Sequence, residues 1–399
     1  MYRSMCSNTP YLTPPKINKF IVIMLAVCWL TACQTAPQIS RPTGQLFYDE
    51  AFANASSIII ETQQQVFALD QDGKDYVRAT IAKFDDPMEK MEVLAHSIFN
   101  RLDFNLLYQG DANTIASETF RNRAANCLSL SIMTYALARE AGFDVRFQDI
   151  DIPEFWTRRD GISLLNGHVN LKIVPRSSNT AVYFTNRGYQ VDFDPQAIKA
   201  HLPKKYISKQ LVLAMFYNNK GADALLQHDF DSAYAYFSAA LKLEPQFSSG
   251  WVNLGFLYRL KGIYAGAERV YSHALNMAPD NLTGWENLAY LYTYTGRTEE
   301  ADVILATVER KRQDNPFYHL DLGEREFDNG HWQIALDHFR RALALNNKHA
   351  EIFFALAKTY HQLGEVKRTQ HYLKMAKRTA QSLNDKDRYQ GKMDLLSRS

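Results

Sequence analysis

The chain has no excess of one charge and no hydrophobic run long enough to form a transmembrane helix. Its 399 residues include 45 Lys and Arg against 43 Asp and Glu. Because positive and negative charges nearly balance, the chain provides no basic surface that would bind a phosphate backbone. We therefore predict no binding to nucleic acid. The apolar stretch near the start, residues 20–30, is 11 residues long, whereas a helix needs about 20 to span a bilayer.

Cysteine is scarce, and the patterns that hold metals or phosphates are missing. Only Cys6, Cys28, Cys33 and Cys127 occur. The sequence contains no Cys-x-x-Cys pair, no His-Glu-x-x-His motif and no glycine-rich phosphate loop. We therefore predict no metal site and no cofactor.

Residues 1–32 have the pattern of an export signal: Lys16 and Lys19 precede the apolar run, which ends in small residues. The stretch Leu-Thr-Ala-Cys at 30–33 resembles the lipobox of bacterial lipoproteins, which implies cleavage before Cys33 and a diacylglycerol on its thiol. A plain secretory signal followed by a chance cysteine is the alternative. With Gln34 as the second mature residue, the resemblance to Gram-negative lipoproteins implies an outer-membrane anchor facing the periplasm.

Cys127 is then the one thiol that neither leaves with the signal nor carries lipid. In an oxidising compartment an unpaired cysteine of this kind indicates a reactive site. A buried structural cysteine is the alternative.

Beyond the signal, composition separates a tether (33–46), a mixed unit (47–200) and a connector (201–213). The mixed unit begins with helical periodicity, and its helix at 127–141 stops at Gly142. Short β-type runs follow at 144–150, 168–174, 181–184 and 189–193. Helices followed by antiparallel strands predict an α+β fold.

The C-terminal half repeats every 34 residues without an insertion. Small residues recur on the first helix of each unit (Gly221, Gly255, Ala289, Gly323, Ala357), and large ones recur on the second (Phe237, Tyr271, Leu305, Phe339, Leu373). This pattern resembles the tetratricopeptide repeat (TPR), a helix–turn–helix unit. Five units over 214–381 predict an all-α superhelix, and the charged residues 382–399 predict a solvating tail or cap.

The sixth position of four successive units carries Asn219, Asn253, Asn287 and Asp321. In some peptide-binding members of the repeat family an Asn ladder at this position grips the main chain of an extended peptide. Asn that only satisfies local backbone groups is the alternative. We predict that the inner face of the array binds a protein or an extended peptide.

Residues 90–196 resemble the transglutaminase-like branch of papain-fold thiol enzymes. The resemblance lies in Asn-Cys opening a helix at 126–127, in Gly-His-Val at 167–169, and in a strand that carries Asp-Phe-Asp-Pro-Gln at 192–196. It implies a catalytic triad of Cys127, His168 and Asp192, with Asp194 as the alternative third member. Ala125 and Asn170 depart from the pattern, because many relatives have Gly and an aromatic residue there.

The chemistry of such a triad depends on position. A helix N-terminus favours thiolate over thiol, a nearby imidazole transfers the proton, and a carboxylate fixes the ring. The sequence thus predicts an envelope lipoprotein with a cysteine peptidase or amidase domain and a protein-binding array. A non-catalytic scaffold lipoprotein that retains a degenerate transglutaminase-like unit is the alternative.

Overall fold

The computed structural model describes residues 3–6, 46–99, 106–175, 188–193, 202–380 and 383–398. The predicted strand at 181–184 and the alternative triad residue Asp194 lie outside these ranges. Within the described ranges, no helix combines the length and apolar character needed to cross a membrane.

The described strands form small sheets. They are β1 (Arg3–Cys6), β2 (Leu107–Tyr108), β3 (Ala124–Ala125), β4 (Asp144–Ile150), β5 (Trp156–Arg159), β6 (Ile162–Asn166), β7 (His168–Val174), β8 (Tyr189–Val191) and β9 (Lys204–Ile207). An antiparallel sheet has the order β8-β7-β4-β9, another has the order β1-β6-β5, and β2 and β3 form a parallel pair. The predicted bounds of β4 and β7 are confirmed.

The N-terminal helices pack around one central helix, which lies against the four-stranded sheet. They are α1 (Gln63–Phe67), α2 (Gln71–Ile81), α3 (Pro87–Phe99), α4 (Ala116–Asn122) and the central helix, α5 (Cys127–Glu140). Most of α5 is buried, and the Ser131 hydroxyl donates to the Val169 carbonyl of β7 at 3.2 Å. The predicted stop of α5 is confirmed, since Gly142 has a φ of +88°, a conformation that favours glycine. The central helix of this unit is thus fixed directly on the strand that carries His168.

The C-terminal part consists of antiparallel helix pairs and a final helix. They are α6 (Lys209–Leu226) with α7 (Phe230–Leu243), α8 (Ser248–Leu260) with α9 (Tyr264–Met277), α10 (Leu282–Tyr294) with α11 (Thr298–Arg312), α12 (Pro316–Asp328) with α13 (Trp332–Leu345), α14 (Ala350–Gln362) with α15 (Val366–Thr379), and α16 (Leu383–Arg398). The first pair begins five residues before the predicted 214. The predicted tail at 382–399 forms the capping helix α16, because Tyr389 is buried against Phe354.

The repeat spacing is explained by contacts between the two helices of a pair. A Cβ added to Gly255 would lie 2.5 Å from the Tyr271 ring, and one added to Gly323 would lie at least as close to the Phe339 ring. Where the first helix carries Ala289 instead of glycine, the second carries the smaller Leu305. Each small residue therefore lets an aromatic or aliphatic side chain fill the space between the helices.

The hairpin β5–β6 joins the N-terminal unit to the array. Trp156 packs against Tyr318 and Leu322, and the Arg158 side chain pairs with Asp328 of α12 at 2.9 Å. Residues 156–166 are thus not a free surface loop, because Trp156, Arg158 and Arg159 contact the array.

Candidate functional site

Cys127 is the first residue of α5. The side-chain oxygen of Asn126 accepts a hydrogen bond from the backbone N–H of Ser129 at 2.9 Å, which fixes the start of the helix at Cys127. The thiol therefore lies in the partial positive charge of a helix N-terminus. Its residue is only 1% exposed, so the sulfur is covered in the full-length chain.

The His168 ring lies between Cys127 and Asp192. Its Nε2 is 2.8 Å from Asp192 Oδ1, and its side chain is hydrogen-bonded to the Cys127 thiol. Among the described residues Nδ1 has no nitrogen or oxygen partner, so it is the ring nitrogen left for the sulfur. The structure thus brings together the three side chains that the sequence suggested as a triad.

The electrostatics of the pair favour a thiolate beside an imidazolium. Burial raises the pKa of the Cys127 thiol, but the positive charge of the amino terminus and the hydrogen bond with His168 outweigh burial and lower that pKa to about 7. Burial lowers the pKa of the His168 imidazole, whereas hydrogen bonds to Asp192 and to Cys127 raise it to about 9. Between these two values the proton resides on the ring and the sulfur is charged.

Asn170 holds the second oxygen of the carboxylate, a role that the sequence analysis missed. Its Nδ2 donates to Asp192 Oδ2 at 2.7 Å. Asn170 lies two residues after His168 on β7, so both side chains lie on the same face of the strand. In the sequence Asn170 stands out only as a departure from the family pattern. Its spacing of two residues from His168 was the signal that both side chains lie on the same face of the strand.

A series of polar contacts connects the start of α5 to the array. The Asn126 Nδ2 donates to Asn113 Oδ1, and the Asn113 Nδ2 donates to Asp223 Oδ2 of α6. The other carboxylate oxygen of Asp223 accepts from Arg159 Nη1 at 2.8 Å. The residue that caps the Cys127 helix is thereby tied to the first repeat and to β5. No sequence pattern points to this series, since its members come from four separate segments.

The predicted ladder residues are buried, and each contacts another part of this chain. Asn219 Nδ2 donates to Asn113 Oδ1 at 3.3 Å, Asn253 Nδ2 donates to Asn218 Oδ1 at 2.8 Å, and Asn287 Nδ2 donates to the Thr283 carbonyl at 2.9 Å. A role for these amides in gripping a peptide stays a prediction.

The fourth ladder residue, Asp321, binds the hairpin. Its Oδ1 accepts from the Ser163 hydroxyl of β6 at 2.5 Å, and its Oδ2 is 2.8 Å from Arg325 Nε. The inner face of the array therefore already holds one strand of this chain.

A second anchor, formed by charged groups, lies near the end of α11. The guanidinium of Arg312 donates to both carboxylate oxygens of Glu154 at 2.7 Å and to Glu286 Oε2 at 2.8 Å. Arg312 is 1% exposed and stacks on Trp156. Burial raises the pKa of the Glu286 carboxyl, but the positive charges of Arg312 and Arg325 outweigh burial and lower it. The loop before β5 is therefore fixed to the array by a paired, buried charge.

Comparison with known families confirms the repeat array. A family model described as a tetratricopeptide repeat matches residues 219–281, and a second, described as a TPR repeat, matches residues 323–364. The C-terminal part is thus a TPR array, and such arrays generally bind proteins or peptides. Both matches lie outside residues 47–200, so the transglutaminase-like assignment depends on the sequence resemblance.

Solved structures with similar helices cover less than half of this chain. A thermophilic TPR protein of Thermus thermophilus is 24% identical and aligns with 43% of this chain and 94% of its own, with a TM-score of 0.29. The pilF protein of Pseudomonas aeruginosa is 16% identical over 44% of this chain and 80% of its own, with a TM-score of 0.28. YrrB, titled a TPR protein with an unusual peptide-binding site, is 18% identical over 43% and 89%, with a TM-score of 0.24. No curated protein matches the chain.

Proposed function

We propose that this protein is a lipid-anchored thiol hydrolase of the transglutaminase-like type whose TPR array binds a protein substrate or partner. The observation that carries the proposal is the hydrogen-bonded series Cys127, His168 and Asp192 at the N-terminus of a buried helix. A histidine on a strand is usually structural. Here it contacts both a helix-start thiol and a buried carboxylate, which is the arrangement that covalent acyl transfer requires.

The proposed chemistry follows from the protonation states. The Cys127 thiolate attacks an amide carbonyl, a C–S bond forms, and the C–N bond breaks as the His168 imidazolium gives its proton to the leaving amine. The Cys127 backbone N–H lies at the positively polarised start of α5 and would donate a hydrogen bond to the oxyanion. The neutral imidazole then takes a proton from water, which attacks the thioester and releases the acid. Hydrolysis is favoured over transfer because water is abundant.

In this proposal the array positions the substrate relative to Cys127. The Arg312–Glu154 pair and the Asp321–Ser163 hydrogen bond hold the N-terminal unit against the repeats. A polypeptide bound along the inner face is therefore held at a fixed distance from Cys127, which raises its effective concentration at the thiol.

A chromogenic acetate ester tests the chemistry. We expect acetylation of Cys127, detected by intact-mass spectrometry, at a rate at least tenfold above that of the His168→Ala variant, and no acetylation of Cys127→Ala. Release of the acetyl group from Cys127 as acetate indicates hydrolysis. Its release as N-acetylglycinamide, when glycinamide is added, indicates transfer to an amine. Acetylation that His168→Ala leaves unchanged would exclude the proposal, since the sulfur would then be an ordinary thiol.

The anchor and its location are part of the proposal. The lipobox-like stretch at 30–33 supports lipid on Cys33, and Gln34 supports the outer membrane, with the protein in the periplasm. Incorporation of labelled fatty acid by a Gram-negative host, lost in Cys33→Ser, is the expected result. Labelling that persists in Cys33→Ser, or its absence from the unchanged chain, contradicts the proposed anchor.

A scaffold without catalysis is the second candidate, and the burial of the triad favours it. Cys127, His168 and Asp192 are 1%, 0% and 6% exposed. This candidate predicts that Asn253→Ala with Asn287→Ala abolishes binding of a partner while His168→Ala leaves binding and cellular function intact. Loss of function in His168→Ala with binding retained favours the hydrolase.

A further inference from the structure

One edge of β6 is covered by the start of the chain itself. Strands β1 and β6 pair antiparallel, from Arg3 opposite Asn166 to Cys6 opposite Ser163. Strand β5 takes the other edge of β6. The edge that β1 covers is thus the one position at which β6 can accept a further strand.

This edge faces the inner side of the array. Strand β1 has Cα atoms within 8 Å of residues in α6, α8 and α10, which are the first helices of three successive pairs. These helices carry the ladder residues Asn219, Asn253 and Asn287. The space between β6 and the array therefore accommodates one extended strand, since β1 lies in it.

The pairing has a direction. Strand β6 ends at Asn166, and His168 begins β7 two residues later. Because the pairing is antiparallel, the N-terminal end of β1 lies at the end of β6 that leads to His168.

We infer that the groove between β6 and the array binds an extended polypeptide segment as an added strand, with the N-terminal end of the segment directed at Cys127. The proposed cleavage before Cys33 removes β1 and leaves the edge open to a segment of another protein. Recognition is through backbone hydrogen bonds, so the segment needs about four residues in extended conformation and no proline.

The inference rests on the proposed function for the cleavage that removes β1 and for its chemical consequence. If the attacked carbonyl precedes the bound segment, the segment on β6 is the amine side of the scissile bond. Its N-terminal nitrogen leaves with the proton from His168, while the acyl part stays on Cys127 as the thioester. The substrate class is then a protein with an exposed, unfolded stretch after the scissile bond.

The test uses the full-length chain with Cys6, Cys28 and Cys33 replaced by serine, so that Cys127 is the one thiol. Ser4→Pro with Met5→Pro displaces β1, and Asn8→Pro, which lies beyond β1, is the matched control. The probe is the peptide MYRSMSSN with a chloroacetyl group at its N-terminus or on an added C-terminal lysine. Alkylation forms the S–C bond and releases chloride.

We expect the N-terminal chloroacetyl peptide to alkylate Cys127 of the displaced-strand chain at least tenfold faster than the C-terminal one. The Asn8→Pro chain, which keeps β1, should resist both peptides. Equal rates from the two ends overturn the direction, and equal rates in the two proline variants overturn the site. Circular dichroism checks that both variants are folded.

A binding measurement separates this inference from the proposed chemistry. In the displaced-strand chain with Cys127→Ala, the fluorescence anisotropy of a C-terminally labelled peptide reports binding without any reaction. Alternate residues of an antiparallel strand direct their N–H groups to the same neighbour. N-methylation of the alternate residues whose N–H groups face β6 should therefore weaken binding at least tenfold. N-methylation of the other alternate residues should weaken binding only slightly. If N-methylation leaves the affinity of the peptide unchanged, or if the peptide does not bind, the inference is contradicted whatever the reactivity of Cys127.

Discussion

A carboxylate and an amide together fix the His168 ring from the side opposite Cys127. Asp192 contacts the ring through Oδ1 and is itself held through Oδ2 by Asn170. The hydrogen bond with Asp192 and the charge of its carboxylate both help to raise the pKa of the imidazole. Asn170 acts through Asp192 and is therefore a positioning residue.

Replacing Asn170 should lower the rate of acetylation of Cys127 while all three triad residues remain in place. Asn170→Ala deletes one hydrogen bond to a charged group, worth about 1.5–3 kcal/mol, and should slow acetylation of Cys127 by roughly tenfold or more. Asn170→Asp, which brings a second carboxylate beside Asp192, should be at least as slow, whereas Asn170→Gln retains the donor and should recover part of the rate. Wild-type acetylation by Asn170→Ala would show that Asp192 needs no support.

The rate at which an amide substrate acylates Cys127 should depend on pH in a bell shape. In the full-length chain the thiolate forms as pH rises through about 7, and the imidazolium that protonates the leaving group is lost as pH rises through about 9. With an amide substrate we therefore expect an optimum between these values, measured as the rate of formation of the acyl-enzyme. A rate that rises steadily to pH 10 or beyond would mean that no proton donor acts.

At the scale of elements, the array is held together by pairs that the 34-residue period predicted. Gly255 faces Tyr271 and Gly323 faces Phe339 across their helix pairs, because an added Cβ has no room there. The period predicts these contacts well, since each repeat folds by local packing that depends on its own residues.

Gly255→Ala should destabilise the array. The added methyl group meets the Tyr271 ring at 2.5 Å, and overpacking of this kind costs about 1–3 kcal/mol. Adding Tyr271→Leu should recover part of the loss, because Ala289 and Leu305 already form that combination one repeat later. Urea unfolding of both variants gives the free energies, and a double variant less stable than Gly255→Ala would contradict the pairing.

The contacts between elements of different segments were beyond prediction from the sequence. The strand bounds of β4 and β7 followed from alternation and turn residues, but β5 and β6 are short and carry Arg158, Arg159 and Ser163 among their residues. Polar side chains at these positions interrupt the apolar alternation by which a half-buried strand is recognised. They are satisfied by Asp223, Asp321 and Asp328, partners more than 60 residues away.

At the scale of the whole molecule, the N-terminal unit and the array are joined by a buried charge pair. The guanidinium of Arg312 satisfies Glu154 of one part and Glu286 of the other. Pairing of the two parts depends on contacts between residues far apart in sequence, for which a single sequence carries no periodic signal. The helices and the candidate triad could be predicted, whereas the placement of the unit inside the array could not.

Arg312→Met should therefore lower the free energy of unfolding of the protein. It leaves Glu286 charged and buried without its main partner, and breaking a buried pair costs about 3–5 kcal/mol. Arg297→Met, in which a surface Arg at the start of the same helix loses Glu268 and Glu300, is the matched control and should cost about 1 kcal/mol or less. Similar unfolding midpoints in urea for the two variants would show that Arg312 does not join the parts.

Titration of Cys127 tests the central claim most directly. In the full-length chain with the other three cysteines replaced by serine, the ultraviolet absorbance of the thiolate should appear with a midpoint near pH 7. His168→Ala removes the hydrogen bond and the positive charge of the imidazolium, and it should therefore move that midpoint to higher pH, although the positive amino terminus still lowers the pKa of the thiol. A midpoint at or above the ordinary thiol value of about 8.5 that His168→Ala does not change would show that the histidine does not hold the sulfur as an anion, and would contradict the proposed hydrolase.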